Sequence, residues 1–563
     1  MVVFLRVNMT TQNFWVEPVP AKYENLGGRG LTSNFLSDEV NPRCYPLGQE
    51  NKLIIAPGLL TGTIAPSSGR CSLGAKSPLT GTIKESNVGG TAGQYLAGHG
   101  IKALILEGLP VEKRTWVLVV DGQNLKFLIK DELKSLGNYQ TVTALRQEFG
   151  ADSAVMCIGP AGEMGAALAT VAVSDLEGRP ARHAGRGGIG AVMGSKGMKA
   201  IVITRPDKVV VRAAASEQFA ATAKEFAKLL SQSKQGLTAY GTAQLVNLIN
   251  AVGGLPTRNF SIGHNPEAEA ISGEKLHQLC NERGGKTGHA CSRGCAIRCS
   301  NVFHDQTGNY VTAGLEYETI ALLGSNCGIN ELDGIAELDR LCDDMGIDTM
   351  ETGCALGVAM EAGTISFGDL ARMKEVISGI STGQELSRII AQGASVTGRI
   401  LGVERVPAVK GQSMSAYDPR ALKGTGVTYA TSPMGADHTG GNCLPGRGGL
   451  KVDKPDGQVA LSKELQITTM VCDFLGICIF VGPLMENMPV LAELTSAFAG
   501  KEINVETLLS QAREILAVEQ AFNEEAGIGS GQNDLPAFFR TEPLPNNGLV
   551  FDVPFRDLKE VRF

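Results

Sequence analysis

Three cysteines crowd one short stretch of the chain, Cys291-Ser-Arg-Gly-Cys295-Ala-Ile-Arg-Cys299, and a fourth stands far downstream in Asp473-Phe-Leu-Gly-Ile-Cys478. Four thiolates would suit an iron–sulfur cluster or a zinc ion. A helix would defeat them, because positions i, i+4 and i+8 spread over roughly 12 Å at 1.5 Å rise per residue. Liganding therefore requires a turn, and Gly294 is placed to permit one. Zinc sites favour two separated cysteine pairs, whereas three clustered cysteines plus a remote one is closer to ferredoxin-like ligation. The competing reading is a set of buried free thiols, since cysteine is often interior.

The remote cysteine ends a pattern that occurs twice. Asp343-Asp-Met-Gly346-Ile347-Asp348 and Asp473-Phe-Leu-Gly476-Ile477-Cys478 share D-x-x-G-I-(D/C), each after an apolar helical stretch. Two similar jobs done from two domains would explain the echo, and so would two ordinary helix ends with glycine in the left-handed position. A third motif, Gly185-Arg-Gly187-Gly-Ile-Gly190, fits G-x-G-x-x-G with Asp207 some way on. It fails as a dinucleotide fingerprint because Glu177–His183, not a strand, precedes it. Glycine backbone beside Arg182 and Arg186 suits a phosphate better.

These groups need a large scaffold. At 563 residues the chain exceeds one hydrophobic core and should form several domains. Glycine accounts for 70 residues, well above the usual share of about 7%. That implies many tight turns and close backbone approaches, as a large buried cofactor would need. The thirteen cysteines suggest no disulfide ladder, and the apolar start Met1–Leu5 is cut short by Arg6. No signal peptide or membrane span is read, so a cytoplasmic setting is expected. A net charge of −7 without a basic run disfavours nucleic acid.

Residues 1–207 read as short strands between glycine-rich turns, for example Lys52–Ala56, Lys102–Glu107, Thr115–Val120 and Lys199–Thr204. From Ala213 the apolar period becomes helical, with helices expected at Ser216–Leu230, Ile335–Asp344, Thr349–Ala362, Gly383–Ile390 and Val505–Ala526. Pro206–Val211 reads as a linker, and Tyr417-Asp-Pro-Arg420 as a turn opening a third region. The expected fold is thus α/β and multidomain: a β-rich base over 1–207, then mainly helical domains over 208–415 and 416–563.

In this order of motifs the chain resembles the aldehyde:ferredoxin oxidoreductase family of tungsten enzymes. The resemblance runs through Leu5–Thr11, Gly27–Leu31, Asn51–Gly62, Ser68–Arg70, Ser77–Gly81, Asn87–Gly90, Ala184–Lys196, Leu315–Glu318, both D-x-x-G-I segments and Tyr417–Arg420. It implies a β-rich base and two mainly helical lobes covering a cofactor. That cofactor is tungsten or molybdenum on two pterin dithiolenes, beside a [4Fe-4S] cluster, with magnesium bridging the pterin phosphates. Asp343, Gly346, Ile347 and Asp348 would then serve one pterin, and Asp473, Gly476 and Ile477 the other. Cys291, Cys295, Cys299 and Cys478 would hold the cluster. Arg70, Arg182, Gly89, Gly90, Ala184, Gly185, Arg186 and Gly187 would line the cofactor and its phosphates. The backbone carbonyls of Asn87 and His183 would hold magnesium, and Glu318 and His438 would move protons in the substrate pocket.

The resemblance implies oxidation of an aldehyde or related oxo compound, with electrons leaving to ferredoxin or an iron–sulfur subunit, in a homodimer or hetero-oligomer. The spacing C-x3-C-x3-C departs from the C-x2-C-x3-C of the best-known members, so a variant activity stays open. One alternative is a low-potential reductase acting on an acyl or aryl thioester, and another is a non-catalytic iron–sulfur scaffold. Glu337-Leu-Asp-Arg340 lacks the histidine of the family's interface iron motif, so no interface metal is expected. Cys327 reads as core packing.

Overall fold

The computed structural model describes residues 2–207 and 210–563. Lys208 and Val209, within the expected linker, lie outside the described residues. Two compact units emerge, and they follow space rather than sequence order. The first gathers residues 1–234, 290–297 and 467–527; the second gathers 235–289, 298–466 and 528–563.

The first unit is built on two six-stranded mixed sheets. One comprises β1 (Val3–Asn8), β2 (Asn13–Pro18), β3 (Leu53–Pro57), β4 (Cys71–Lys76), β5 (Ile83–Val88) and β6 (Ile101–Glu107), in the order β2-β1-β6-β3-β4-β5. The other comprises β7 (Trp116–Asp121), β8 (Asn124–Ile129), β9 (Ala154–Cys157), β10 (Val171–Val173), β11 (Arg182–Ala184) and β12 (Met198–Ile203), in the order β11-β10-β9-β12-β7-β8. The four strands read from the sequence appear here, with ends shifted by a residue or so. Their near-continuous apolar runs follow from burial on both faces. Trp116, Leu118 and Val120 of β7, with Met198, Ile201 and Ile203 of β12, join Leu5, Leu104 and Leu106 of the first sheet in one core. The alternate residues Val117, Val119, Ala200 and Val202 form a second cluster with Val142 and Leu145 of the helix Asn138–Phe149. Each fully buried aliphatic side chain of this kind is worth about 1.5–3 kcal/mol.

The second unit is mainly helical and carries a small antiparallel sheet of Lys286–His289, Ser300–His304 and Tyr310–Ala313. Its helices include Leu332–Met345 and Thr349–Glu361. The helix expected from Gly383 begins at Glu385, because Gly383 takes φ 70° and turns the chain before it. Tyr417–Arg420 is a turn, as expected, and it acts as a clamp. Buried Arg420 pairs with Asp418 at 2.6 Å and also donates to the carbonyl of Phe260. Phe260 ends a left-handed run of Arg258, Asn259 and Phe260, with φ of 47°, 52° and 56°. Non-glycine residues reach this region only when their surroundings hold them there. Here the Arg258 and Asn259 amides donate to the carbonyls of Ser325 and Asn326. Among the described residues no helix is long and apolar enough to cross a membrane.

Candidate functional site

Within the first unit the cysteine loop turns at Gly294, whose φ is 80°. Ser67 holds the turn from three sides. Its N–H donates to the Gly294 carbonyl at 2.9 Å, its Oγ accepts from the Ala296 N–H at 3.3 Å, and its carbonyl accepts from the Cys478 N–H at 2.9 Å. One serine, itself left-handed at φ 58°, therefore ties the remote cysteine to the cysteine loop. Arg70 sits at the same place, with Nη2 3.0 Å from Cys478 Sγ. A Cβ on Gly89 would stand 3.3 Å from Cys291 Sγ and 3.7 Å from Arg70 Nη1, so glycine keeps that space open. Gly90 takes φ 88° and donates to the Cys291 carbonyl at 3.0 Å.

The electrostatics favour thiolate. A hydrogen bond from the Cys295 side chain, then the charges of Arg70 and Arg182, hold the Cys291 thiol well below its usual range despite its burial. Cys295 is half-buried, whereas Cys291, Cys299 and Cys478 are buried. Cys299 belongs to the second unit. Among the described residues the thirteen cysteines form no disulfide. Among the described residues no three His, Cys, Asp or Glu side chains gather as tightly as a single ion requires.

The second D-x-x-G-I segment ends the helix Gln458–Leu475 and docks on the loop after β3. Leu59 and Leu60 amides donate to the carbonyls of Phe474 and Leu475, and the Arg70 amide donates to that of Gly476. Asp473 lies beneath, 3.1 Å from Arg29 Nη1. Arg29 also grips Glu519 through two bonds of 2.9 and 2.7 Å, and Ser33 Oγ donates to the same carboxylate at 2.7 Å. Glu85 of β5 is a third buried carboxylate here. Burial, then the charge of Glu85, raises Asp473 to about 8 against the pull of Arg29. Burial likewise raises Glu85.

The phosphate-side residues lie where edge strands meet. β5, carrying Asn87, and β11, carrying His183, are edge strands of their sheets and lie against each other. The His183 ring is held by Thr170 Oγ1 at 2.7 Å and the Pro180 carbonyl at 3.0 Å. Ala184 of β11 pairs with Val171, so a short strand does precede the glycine motif, contrary to expectation, and the buried Arg186 donates its N–H to Ser86 Oγ at 3.2 Å. Gly185 leads into Gly187, where φ is 83° and any Cβ would strike Lys84 Cγ at 2.5 Å.

Within the second unit, Glu318 and His438 come together. Glu318 lies in the short helix Tyr317–Thr319, which runs straight into a π-helical turn, Ile320–Gly324. Such turns are frequent at functional sites. His438 Nε2 stands 3.3 Å from Glu318 Oε1 without the alignment of a hydrogen bond. Glu318 Oε2 accepts from the Ala416 N–H at 2.7 Å, and His438 Nδ1 meets Ser415 Oγ at 2.8 Å. The Tyr417 ring lies against His438 at 5.7 Å. Burial, then the charge of Glu318, raises the Tyr417 phenol well above its usual range.

The first D-x-x-G-I segment is also a helix end. Gly346 takes φ 72°, and the amides of Gly346 and Ile347 both donate to the Cys342 carbonyl. Asp348 then caps the next helix by accepting from the Met350 N–H at 2.9 Å. Asp343 and Asp348 are both buried. Cys327 is fully buried, its Sγ donating to the Leu322 and Gly353 carbonyls, each at 3.3 Å.

Sequence reading missed Ser67, Arg29, Glu85, Glu519, Ser415 and Tyr417 as parts of these arrangements. One signal was present. A cysteine, Cys342 or Cys472, precedes each aspartate, so the echo is C-D-x-x-G-I.

The family profile described as "Aldehyde ferredoxin oxidoreductase, N-terminal domain" matches residues 4–205, and that for "domains 2 & 3" matches residues 220–561. A tungsten-containing aldehyde ferredoxin oxidoreductase of Pyrococcus furiosus is 33% identical over 96% of this chain and 92% of its own length. Its counterpart in Thermococcus kodakarensis is 34% identical over 97% and 93%. The active site complex BamBC of benzoyl coenzyme A reductase shares the fold, with TM-score 0.79 and 18% identity over 95% of this chain and 90% of that one. The chain belongs to the aldehyde ferredoxin oxidoreductase family.

Proposed function

We propose that this protein is a tungsten-pterin oxidoreductase that converts an aldehyde to a carboxylic acid and hands the electrons to ferredoxin or an iron–sulfur partner subunit. The observation that carries the reading is Arg70 Nη2 standing 3.0 Å from Cys478 Sγ while its charge acts on Cys291, with Ser67 tying both segments together. The donor set suits a cluster: the Cys291 thiol is held well below its usual range, a guanidinium lies beside Cys478, and Gly89 leaves room. Cys291, Cys295, Cys299 and Cys478 would hold a [4Fe-4S] cluster. Asp343 and Asp348 would accept from the edge of one pterin and Asp473 would meet the other. Carbonyls of Asn87 and His183 would hold magnesium, with Arg182 and Arg186 on the phosphates. When bound, the metal and cluster supply acceptance of two electrons and their onward passage one at a time.

The chain itself handles protons. An aldehyde and water become an acid, two protons and two electrons. Glu318, anchored through Oε2, presents Oε1 to accept one of the two protons, and the imidazole of His438 beside it accepts the other. A cytoplasmic, anaerobic setting belongs to this reading. So does the arrangement of a base over residues 1–207 with covering segments 208–415 and 416–563.

Elemental analysis of anaerobically purified protein, with a viologen assay, tests it. About one tungsten (or molybdenum) and about four irons per chain, with aldehyde-dependent viologen reduction, are expected. Iron without tungsten or molybdenum would indicate a scaffold. Thioester reduction without aldehyde oxidation would indicate a reductase.

A further inference from the structure

His438 is held by groups from the segment Ser415–Tyr417 and from the short helix that carries Glu318. Ser415 Oγ meets Nδ1 at 2.8 Å, and Glu318 Oε1 faces Nε2 at 3.3 Å. Tyr417 lies beneath the ring at 5.7 Å. The other charged neighbour is Asp437, 3.9 Å from Nδ1. Its Oδ1 is already engaged by the Thr439 N–H and Oγ1 at 3.0 and 2.7 Å. The charge of Arg447 bears on the Tyr417 phenol.

An ionised carboxylate has no proton to give, so the ring faces Glu318 most favourably with Nε2 protonated. Nδ1 then has two states. In the neutral ring it accepts, and in the charged ring it donates. A hydroxyl serves both, because it can rotate between donor and acceptor. Ser415 is fully buried, so bulk water does not replace it. Its backbone is fixed independently of the hydroxyl. Tyr429 donates to its carbonyl at 3.2 Å, and buried Glu351 accepts from the Ser413 N–H at 2.8 Å.

We propose that Ser415 is a positioning residue for the reaction, keeping His438 turned with Nε2 toward Glu318 in both protonation states of the ring. The inference rests on the reading of Glu318 and His438 as the proton-handling pair. Ser415 touches neither substrate nor cofactor in this role; it acts through the imidazole.

The test uses the holoenzyme of Ser415→Ala and Ser415→Thr, each with metal content equal to the parent. Ser415→Ala is expected to lower kcat about tenfold, a fraction of the 10²–10⁴ typical of general acid–base catalysis, and to shift the limb of the kcat–pH profile that reports the ring. KM should change little. Ser415→Thr, which restores the hydroxyl, should recover kcat to within about threefold and return the profile. A crystal structure of Ser415→Ala should show Nε2 displaced from Glu318. A parental rate and pH profile in Ser415→Ala, or an unmoved ring, would overturn the proposal. So would failure of threonine to restore the alanine variant. His438→Asn and Glu318→Gln separate the two levels. If both keep parental turnover, the pair itself is wrongly assigned; if both lose it while Ser415→Ala does not, Ser415 alone is.

Discussion

Cys342–Asp348 and Cys472–Cys478 run through the same backbone device and finish in different chemistry. In each, the isoleucine amide reaches back five residues to the cysteine carbonyl, at 3.0 Å for Ile347 and 2.9 Å for Ile477. In each, glycine turns left-handed, at φ 72° and 77°. In each, burial pushes the leading thiol well above its usual range, so Cys342 and Cys472 are packing sulfurs. The last residue sets the difference. Asp348 spends one oxygen on capping the next helix, whereas Cys478 turns its sulfur to Arg70. The aspartates differ as well. Asp473 shares one guanidinium with Glu519 and sits near Glu85, a buried site richer in carboxylate than in cation. A conserved-looking turn thus fixes where a residue stands, and the surrounding charges fix what it can do.

Exchanging the cysteines of the second segment should break the comparison most strongly. Cys478→Ala is expected to lower bound iron below about four per chain and abolish viologen-linked activity. Cys472→Ala should leave iron unchanged and cost about 1–2 kcal/mol of stability. Iron analysis and denaturant unfolding read the two effects; equal iron loss in both would merge their roles.

The glycines should separate next. A Cβ at Gly476 would stand 2.4 Å from Thr61 Oγ1 and 2.7 Å from Gly58 Cα. Gly476→Ala therefore combines overpacking with left-handed strain, about 3 kcal/mol or more. Gly346→Ala should show the left-handed strain, about 1–2 kcal/mol. Unfolding midpoints compare them directly.

The smallest effect is a slope. Asp473 has its folded pKa raised to about 8, above the roughly 3.9 of an unfolded aspartate. The folded chain therefore binds the extra proton. Stability from this group is full below the unfolded value and is lost as pH rises through the folded one. The melting temperature of Asp473→Asn should fall less between about pH 5 and pH 8.5 than that of the parent. An unchanged slope would place the carboxylate elsewhere in its titration.

Much of the scaffold was legible from local pattern. Strands buried on both faces read as apolar runs, and Gly294 was visibly the place for a turn. Of the two readings of D-x-x-G-I, the helix end is what the backbone displays, with Gly346 and Gly476 both left-handed. What stayed hidden was non-local. Arg29 and Glu519 are 490 positions apart, and no periodicity announces such a pair. Ser67 was an unremarked serine because its use depends on three backbone groups from two other segments. Ser415 escaped for the same reason, lying beside the conspicuous Tyr417-Asp-Pro-Arg420 turn.

The first unit is stitched from three stretches of chain, the last of them 467–527. On a ribosome its two sheets can form early, but the segment bearing Asp473 and Cys478 emerges only after most of the polypeptide has been made. Any group that needs Cys478 must therefore be inserted late, into a nearly finished protein. Until then the thiolate-prone Cys291 loop waits without its distant partner, which makes timing of delivery, and protection from oxidants meanwhile, a requirement written into the order of the residues.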